Sequence, residues 1–138
     1  MNLGSPDSYA VKDVRRYLGE FLMDERVIDF PHWLRTVLIK GVILNTRPKK
    51  SAAAYESIWW DEGSPLMVLS KRLHLAVQKE TELPVALGMR YGTPSIYDAL
   101  KGLQDENPDL ESISLIPLYP HYAMSSYETV VVKAREVV

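Results

Sequence analysis

The sequence predicts an α/β domain, a parallel sheet with flanking helices, and three observations carry that expectation. Two short apolar runs, LPVALGM at 83–89 and ISLIPL at 113–118, have the length and continuity of buried strands. Each precedes a stretch with helical apolar spacing, and strand, helix, strand, helix is the order from which parallel sheets are built. Both runs end in polar and aromatic residues, Arg90–Tyr91 and Tyr119 to Ser126. That arrangement puts two chemically rich loops at one sheet edge, where open α/β proteins bind ligands.

The elements follow in order. The opening MNLGSPDS is a glycine turn after only three residues, which reads as a strand clipped at its start. In AVKDVRRYLGEFL, Val11, Val14, Leu18, Phe21 and Leu22 recur every three or four residues and give a helix one apolar face, with Ser8 as its cap. DERVID, 24–29, reads as a connection. Pro31 opens a second helix through Trp33, Leu34, Val37 and Leu38, and the β-branched residues around Lys40 and Gly41 predict an extended end. A helix over 51–60 follows NTRPKK. EGSP breaks the chain before another, with Leu66, Leu69, Leu73, Ala76 and Val77 in a stripe. After the first strand, Thr93, Pro94 or Ser95 starts a helix with Ile96, Ala99, Leu100 and Leu103 inward. After the second, Ser125 or Ser126 caps a helix through Val130, Ala134 and Val137, although TVVV favours strand. Two complete strands make an incomplete sheet, so the pattern reads as half of a larger enzyme.

Composition narrows the function. A length of 138 residues fits one domain with a real core. The net charge of −2 gives no general attraction to nucleic acid, and nucleic acid is not an expected partner. Without cysteine, this chain has no thiol nucleophile, disulfide or iron–sulfur ligand. No stretch resembles a membrane span or a cleavable leader, so the expected location is cytoplasmic.

Several residues could carry chemistry. Arg90 can hold a carboxylate with paired donors and Tyr91 can flank a planar ligand; the pair equally suits a salt bridge and a half-buried tyrosine. Arg47, Lys49 and Lys50 form a basic cluster at the start of a predicted helix, where the helix dipole disfavours cations. Tyr119, His121, Tyr122, Ser125 and Ser126 follow the second run, yet a lone histidine and two serines make no triad. Three scattered histidines define no metal site by spacing. Trp33, Trp59 and Trp60 are too far apart for a stacking platform and read as core or rim.

Taken in order, NLGSPDS, VKDVRRYLGEFLMDERVID, RPKKSAAAYESIW, EGSPL, LGMRYGTPSI and LIPLYPHYAMSS span nearly the whole chain and resemble the N-terminal half of ferrochelatase, the family that inserts ferrous iron into porphyrin. The resemblance implies a three-layer, Rossmann-like half of a two-domain chelatase fold. Residues 1–138 would be its N-terminal domain, truncated in the first strand and lacking the C-terminal catalytic domain. It implies that Leu3, Gly4, Ser5 and Pro6 lie against the macrocycle, that Arg47 and Lys50 sit near the cleft rim, and that Arg90 and Tyr91 are pocket residues. Tyr119, Tyr122, Ser125 and Ser126 would line or support the inner cleft. The family's metal-handling histidine and its acidic partner lie in the other half; His121 does not match it, and no catalytic or metal-binding residue is expected here. Porphyrin, with protoporphyrin IX favoured, and ferrous iron are the implied substrates, with no resident cofactor in this portion. Other readings are a non-catalytic tetrapyrrole-binding domain and a cobalt chelatase-related protein. The isolated chain is expected to be inactive and to self-associate, and the parent protein to be cytoplasmic or peripheral to a membrane.

Overall fold

Helical spacing in the first third of the chain forms the helix it predicts, α1, Val11–Leu22. Its inward face buries Val14 and Tyr17 against α4, Pro48–Glu56, whose Pro48 and Ala52 are buried in turn. Proline at the first position of α4 costs nothing, since that amide has no partner within the helix. Ser8 does not cap α1. Ala10 holds that position, while the Ser8 hydroxyl accepts the Ala10 amide at 3.1 Å and donates to Asp13 at 2.6 Å.

Between these helices the chain stays helical: α2, His32–Thr36, runs into a π-helical stretch, Val37–Ile43, and then α3, Leu44–Thr46. The extended segment expected around Lys40 is therefore corrected to a π-helix. Its wider register is supported by side chains, because Asn45 Nδ2 donates to the Lys40 and Gly41 carbonyls and Thr46 Oγ1 to that of Val42. Ile39, fully buried, anchors the stretch and overrides the β preference of its neighbours.

The computed structural model describes residues 1–137, and among them no β-strand forms. The expected α/β fold, with its parallel sheet and three-layer, Rossmann-like arrangement, is contradicted. Neither apolar run forms regular secondary structure. Residues 1–3 lie between them: the Asn2 amide donates to Gly88 O, the Arg90 and Tyr91 amides to Asn2 O and Leu3 O, and the Leu118 amide to Met1 O. Around Met89 these contacts amount to isolated parallel bridges, to Asn2 and to Ser95. The physical reason is local. Gly4, at φ 103°, turns the chain away after three residues, and Pro84 and Pro117 have no amide to give to a ladder.

The later helices are α5, Pro65–Glu80; α6, Ile96–Glu106; and α7, Thr129–Arg135, which follows a π-helical turn at Met124–Glu128. Ser95 caps α6 by accepting the Asp98 amide at 3.0 Å. Ser125 and Ser126 fall inside the π-turn and do not cap α7. TVVV is helical because Val130 and Ala134, four residues apart, close a core with Ile96 and Leu100. Ile113, Leu115 and Tyr119 pack on its border.

Gly4 is the most tightly approached of the glycines. A Cβ there would sit 1.9 Å from the Tyr91 carbonyl oxygen, in a backbone conformation that L-residues avoid. Gly4→Ala should lower the unfolding free energy by roughly 3 kcal/mol. Gly102→Ala, in the interior of α6 with nothing within 4 Å, should raise it by up to about 1 kcal/mol. Urea unfolding of the two variants checks the contrast, and equal midpoints would contradict it.

Candidate functional site

Arg90 and Tyr91 sit at the centre of a polar cluster whose focus is a residue the sequence reading passed over. Asp24, in the turn after α1, is buried with 4% of its side chain exposed, and its Oδ2 receives three donors. Arg90 Nη2 lies at 2.5 Å, the Tyr91 hydroxyl at 2.9 Å and the Thr129 hydroxyl at 2.5 Å. The other oxygen, Oδ1, accepts the Arg26 amide at 2.8 Å. Thr129 closes the ring by accepting Arg90 Nε at 2.6 Å, and the guanidinium also lies 4.5 Å from the centre of the Tyr91 ring. One carboxylate thus joins the end of α1, the loop after Met89 and the first residue of α7.

Burial pushes the Asp24 carboxyl up. Hydrogen bonds from Thr129, the Arg26 amide and Tyr91, with the Arg90 charge, outweigh that and hold it below the usual carboxylate range. Burial pushes the Tyr91 phenol up to about 12, against opposing pulls from Thr129 and Arg90, so it stays a donor at neutral pH. Tyr91 is also where an aromatic series ends. Its ring meets Phe21 and Tyr17 edge-on, Tyr17 meets Tyr55, and Tyr55 meets Trp59.

The other sequence-nominated residues fall in four places. Leu3, Gly4, Ser5 and Pro6 lie against the Arg90–Tyr91 loop: the Tyr91 amide donates to Leu3 O, and Tyr17 Oη donates to Gly4 O at 3.2 Å. Ser5 and Pro6 are buried, and Ser5 Oγ has no hydrogen-bond partner among the described residues. Tyr119 borders the α6–α7 core, and its buried hydroxyl is likewise without a partner; burial raises its pKa. Arg47 and Lys50 are exposed and far along the chain from this cluster, Arg47 capping α4. Neither forms an ion pair with a described residue. Tyr122 is exposed and donates to Glu128, and Ser125 and Ser126 are half-buried in the π-turn. Of the tryptophans, Trp59 packs in the aromatic series, while Trp33 lies exposed on α2.

An open cavity of about 460 Å³ lies beside this cluster, lined by Glu25, Arg26, Asp29, Arg35 and Glu128 among others. None of the nominated residues lines it. Its walls mix both signs of charge, and Arg35, buried, spends Nη1 on the Ile28 and Phe30 carbonyls. Sequence reasoning missed Asp24 and Thr129 because each is far from Arg90 along the chain, 66 and 39 residues, where periodicity carries no information.

Comparison with known proteins supplies what this geometry does not. The family model described as ferrochelatase matches residues 1–138. Ferrochelatase of Pseudomonas syringae pv. tomato is 53% identical over 139 residues, covering 100% of this chain and 40% of the relative. That of Azotobacter vinelandii is 54% identical over 138 residues, covering 99% of this chain and 40% of its own length. The chain therefore spans about 40% of the length of the curated relatives it matches.

Removing Arg90 strands a buried carboxylate. Arg90→Ala should lower stability at neutral pH by roughly 3 kcal/mol, the low end for a broken buried pair because Arg90 is partly exposed. Asp24 has a lowered folded-state pKa, so its contribution is present above the usual carboxylate range and lost as pH falls through the folded value. The deficit of the variant should therefore shrink in acid. Denaturant unfolding at pH 7 and below pH ~3 checks this, and a deficit independent of pH would contradict it.

Proposed function

The chain belongs to the ferrochelatase family, and from that premise we propose that the protein carrying it inserts ferrous iron into a porphyrin, with protoporphyrin IX the favoured substrate. The observation that carries this reading is the family match along the entire chain. In this reading residues 1–138 are one wall of the cleft, the N-terminal domain, and the remaining length typical of the family supplies the metal-handling histidine and its acidic partner.

The chemistry of the wall suits the substrate. A porphyrin is a broad apolar plane with propionates at one side, and insertion must strip two pyrrole protons and the hydration shell of the iron. Leu3 to Pro6 would press on the macrocycle, a role supported by the backbone contacts that join this loop to Arg90–Tyr91. Arg47 and Lys50, exposed and without carboxylate partners among the described residues, would meet propionates at the rim. Arg90 would meet a propionate with the edge of its guanidinium that Asp24 and Thr129 leave free. Tyr91, 2% exposed, would act by shaping the loop, and Ser5 and Tyr119, whose hydroxyls are buried, would support the wall from behind. Tyr122, Ser125 and Ser126 would border the inner cleft.

Apolar surface supports the expectation of a covering domain. Along α5, Leu66, Leu69, Leu73 and Val77 form one exposed stripe, and Ile116 is 67% exposed. Without the rest of the protein, that surface should drive the 138-residue chain to self-associate, which light scattering over a concentration series would detect. The parent protein is read as cytoplasmic or peripheral to a membrane, the latter supported by exposed Phe30, Trp33 and Val37.

Anaerobic incubation with ferrous iron and protoporphyrin IX tests the reading. The full protein should yield haem, and residues 1–138 alone should yield no more than the uncatalysed rate. A folded full protein that binds porphyrin but inserts no iron would refute the activity, and turnover by residues 1–138 would refute the division of labour.

A further inference from the structure

The Arg90 guanidinium is held at two points in this structure. Its Nη2 is held by Asp24 and its Nε by Thr129, and those two are bonded to each other, so the guanidinium is fixed at two of its three nitrogens. A fork held in this way presents one remaining edge, in a single orientation, where a solvated arginine would sample many. We propose that Asp24 and Thr129 are positioning residues: they fix the orientation in which Arg90 meets the porphyrin, without touching the porphyrin themselves. The inference rests on the porphyrin-binding role of Arg90 and deepens it.

Three features support a positioning role over simple packing. The Asp24 side chain is 4% exposed and Thr129 1% exposed, so neither side chain is placed to meet a ligand, whereas Arg90 keeps 20% of its side chain in solvent. The three residues come from three separate segments, so their bonds set the loop at 88–92 against both α1 and α7. The same Asp24 oxygen also takes the Tyr91 hydroxyl, which locks the neighbouring residue of that loop and prevents Arg90 from reorienting by a backbone shift. Preorganisation of this kind raises affinity by removing the ordering cost from the binding step.

The test uses the full protein carrying this chain and reads porphyrin affinity by fluorescence quenching, with circular dichroism and thermal unfolding as checks of fold. Arg90→Ala should weaken protoporphyrin IX binding about tenfold, as expected for a lost charge-assisted contact. Asp24→Asn keeps an acceptor but removes the charge, and Thr129→Val keeps the shape but removes the hydroxyl. Each should weaken binding severalfold when Arg90 is present and have less than about a twofold effect when Arg90 is already alanine. A purely structural role would leave the effects of Asp24 and Thr129 independent of Arg90. If Asp24→Asn fails to fold, Thr129→Val carries the test, since its cavity and charge changes are small. Weakened binding in Arg90→Ala beside unchanged binding in a folded Thr129→Val overturns the positioning role alone. Unchanged binding in Arg90→Ala overturns the porphyrin role of Arg90 and the positioning role together.

Discussion

The arrangement of this chain depends on a single carboxylate oxygen. Oδ2 of Asp24 takes hydrogen bonds from Arg90, Tyr91 and Thr129 while almost all of its side chain is withdrawn from water. A charge so buried is tolerated only when it is paired and its lone pairs are filled, and both conditions are met. The cost of breaking the cluster is therefore much larger than the worth of any one bond in it. Three stretches far apart in sequence, the exit from α1, the loop beyond Met89 and the entry to α7, are joined by it.

Other close approaches follow from that anchor. With Tyr91 fixed, the chain at Leu3 and Gly4 can run against the loop only if residue 4 has no side chain, and the glycine is there with the positive φ the turn requires. The Tyr17 ring fills the corner between Tyr55 and Tyr91 and spends its hydroxyl on the Gly4 carbonyl. Packing, backbone conformation and ion pairing therefore agree at the place where the family resemblance expects the macrocycle to lie.

Helices were legible where apolar residues recur at helical spacing on a face that finds a partner: Val14 in α1, Ile96 and Leu100 in α6. The strands were not. Continuous apolar runs at 83–89 and 113–118 predict buried strands, but a strand needs partners in register; only Met1–Leu3 lies alongside them, and Leu83, Ile116 and Leu118 are exposed. The π-helix over Val37–Ile43 was illegible for a related reason, since β-branched composition pointed one way while Asn45, Thr46 and the burial of Ile39 decided the other. At the candidate site, motif spacing found Arg90 and Tyr91 and left both a ligand role and a salt bridge open. The salt bridge is present, and its partner, Asp24, lay in a segment that reads as a plain connection.

If one oxygen holds the three segments together, the residues that reach it must depend on one another energetically. A double-mutant cycle in unfolding free energy, with Tyr91→Phe and Thr129→Val alone and combined, removes two of its three donors without removing charge. Shared use of Asp24 predicts that the two losses fail to add by at least ~0.5 kcal/mol. Strict additivity, with both single variants folded, would contradict the claim that Asp24 joins these segments.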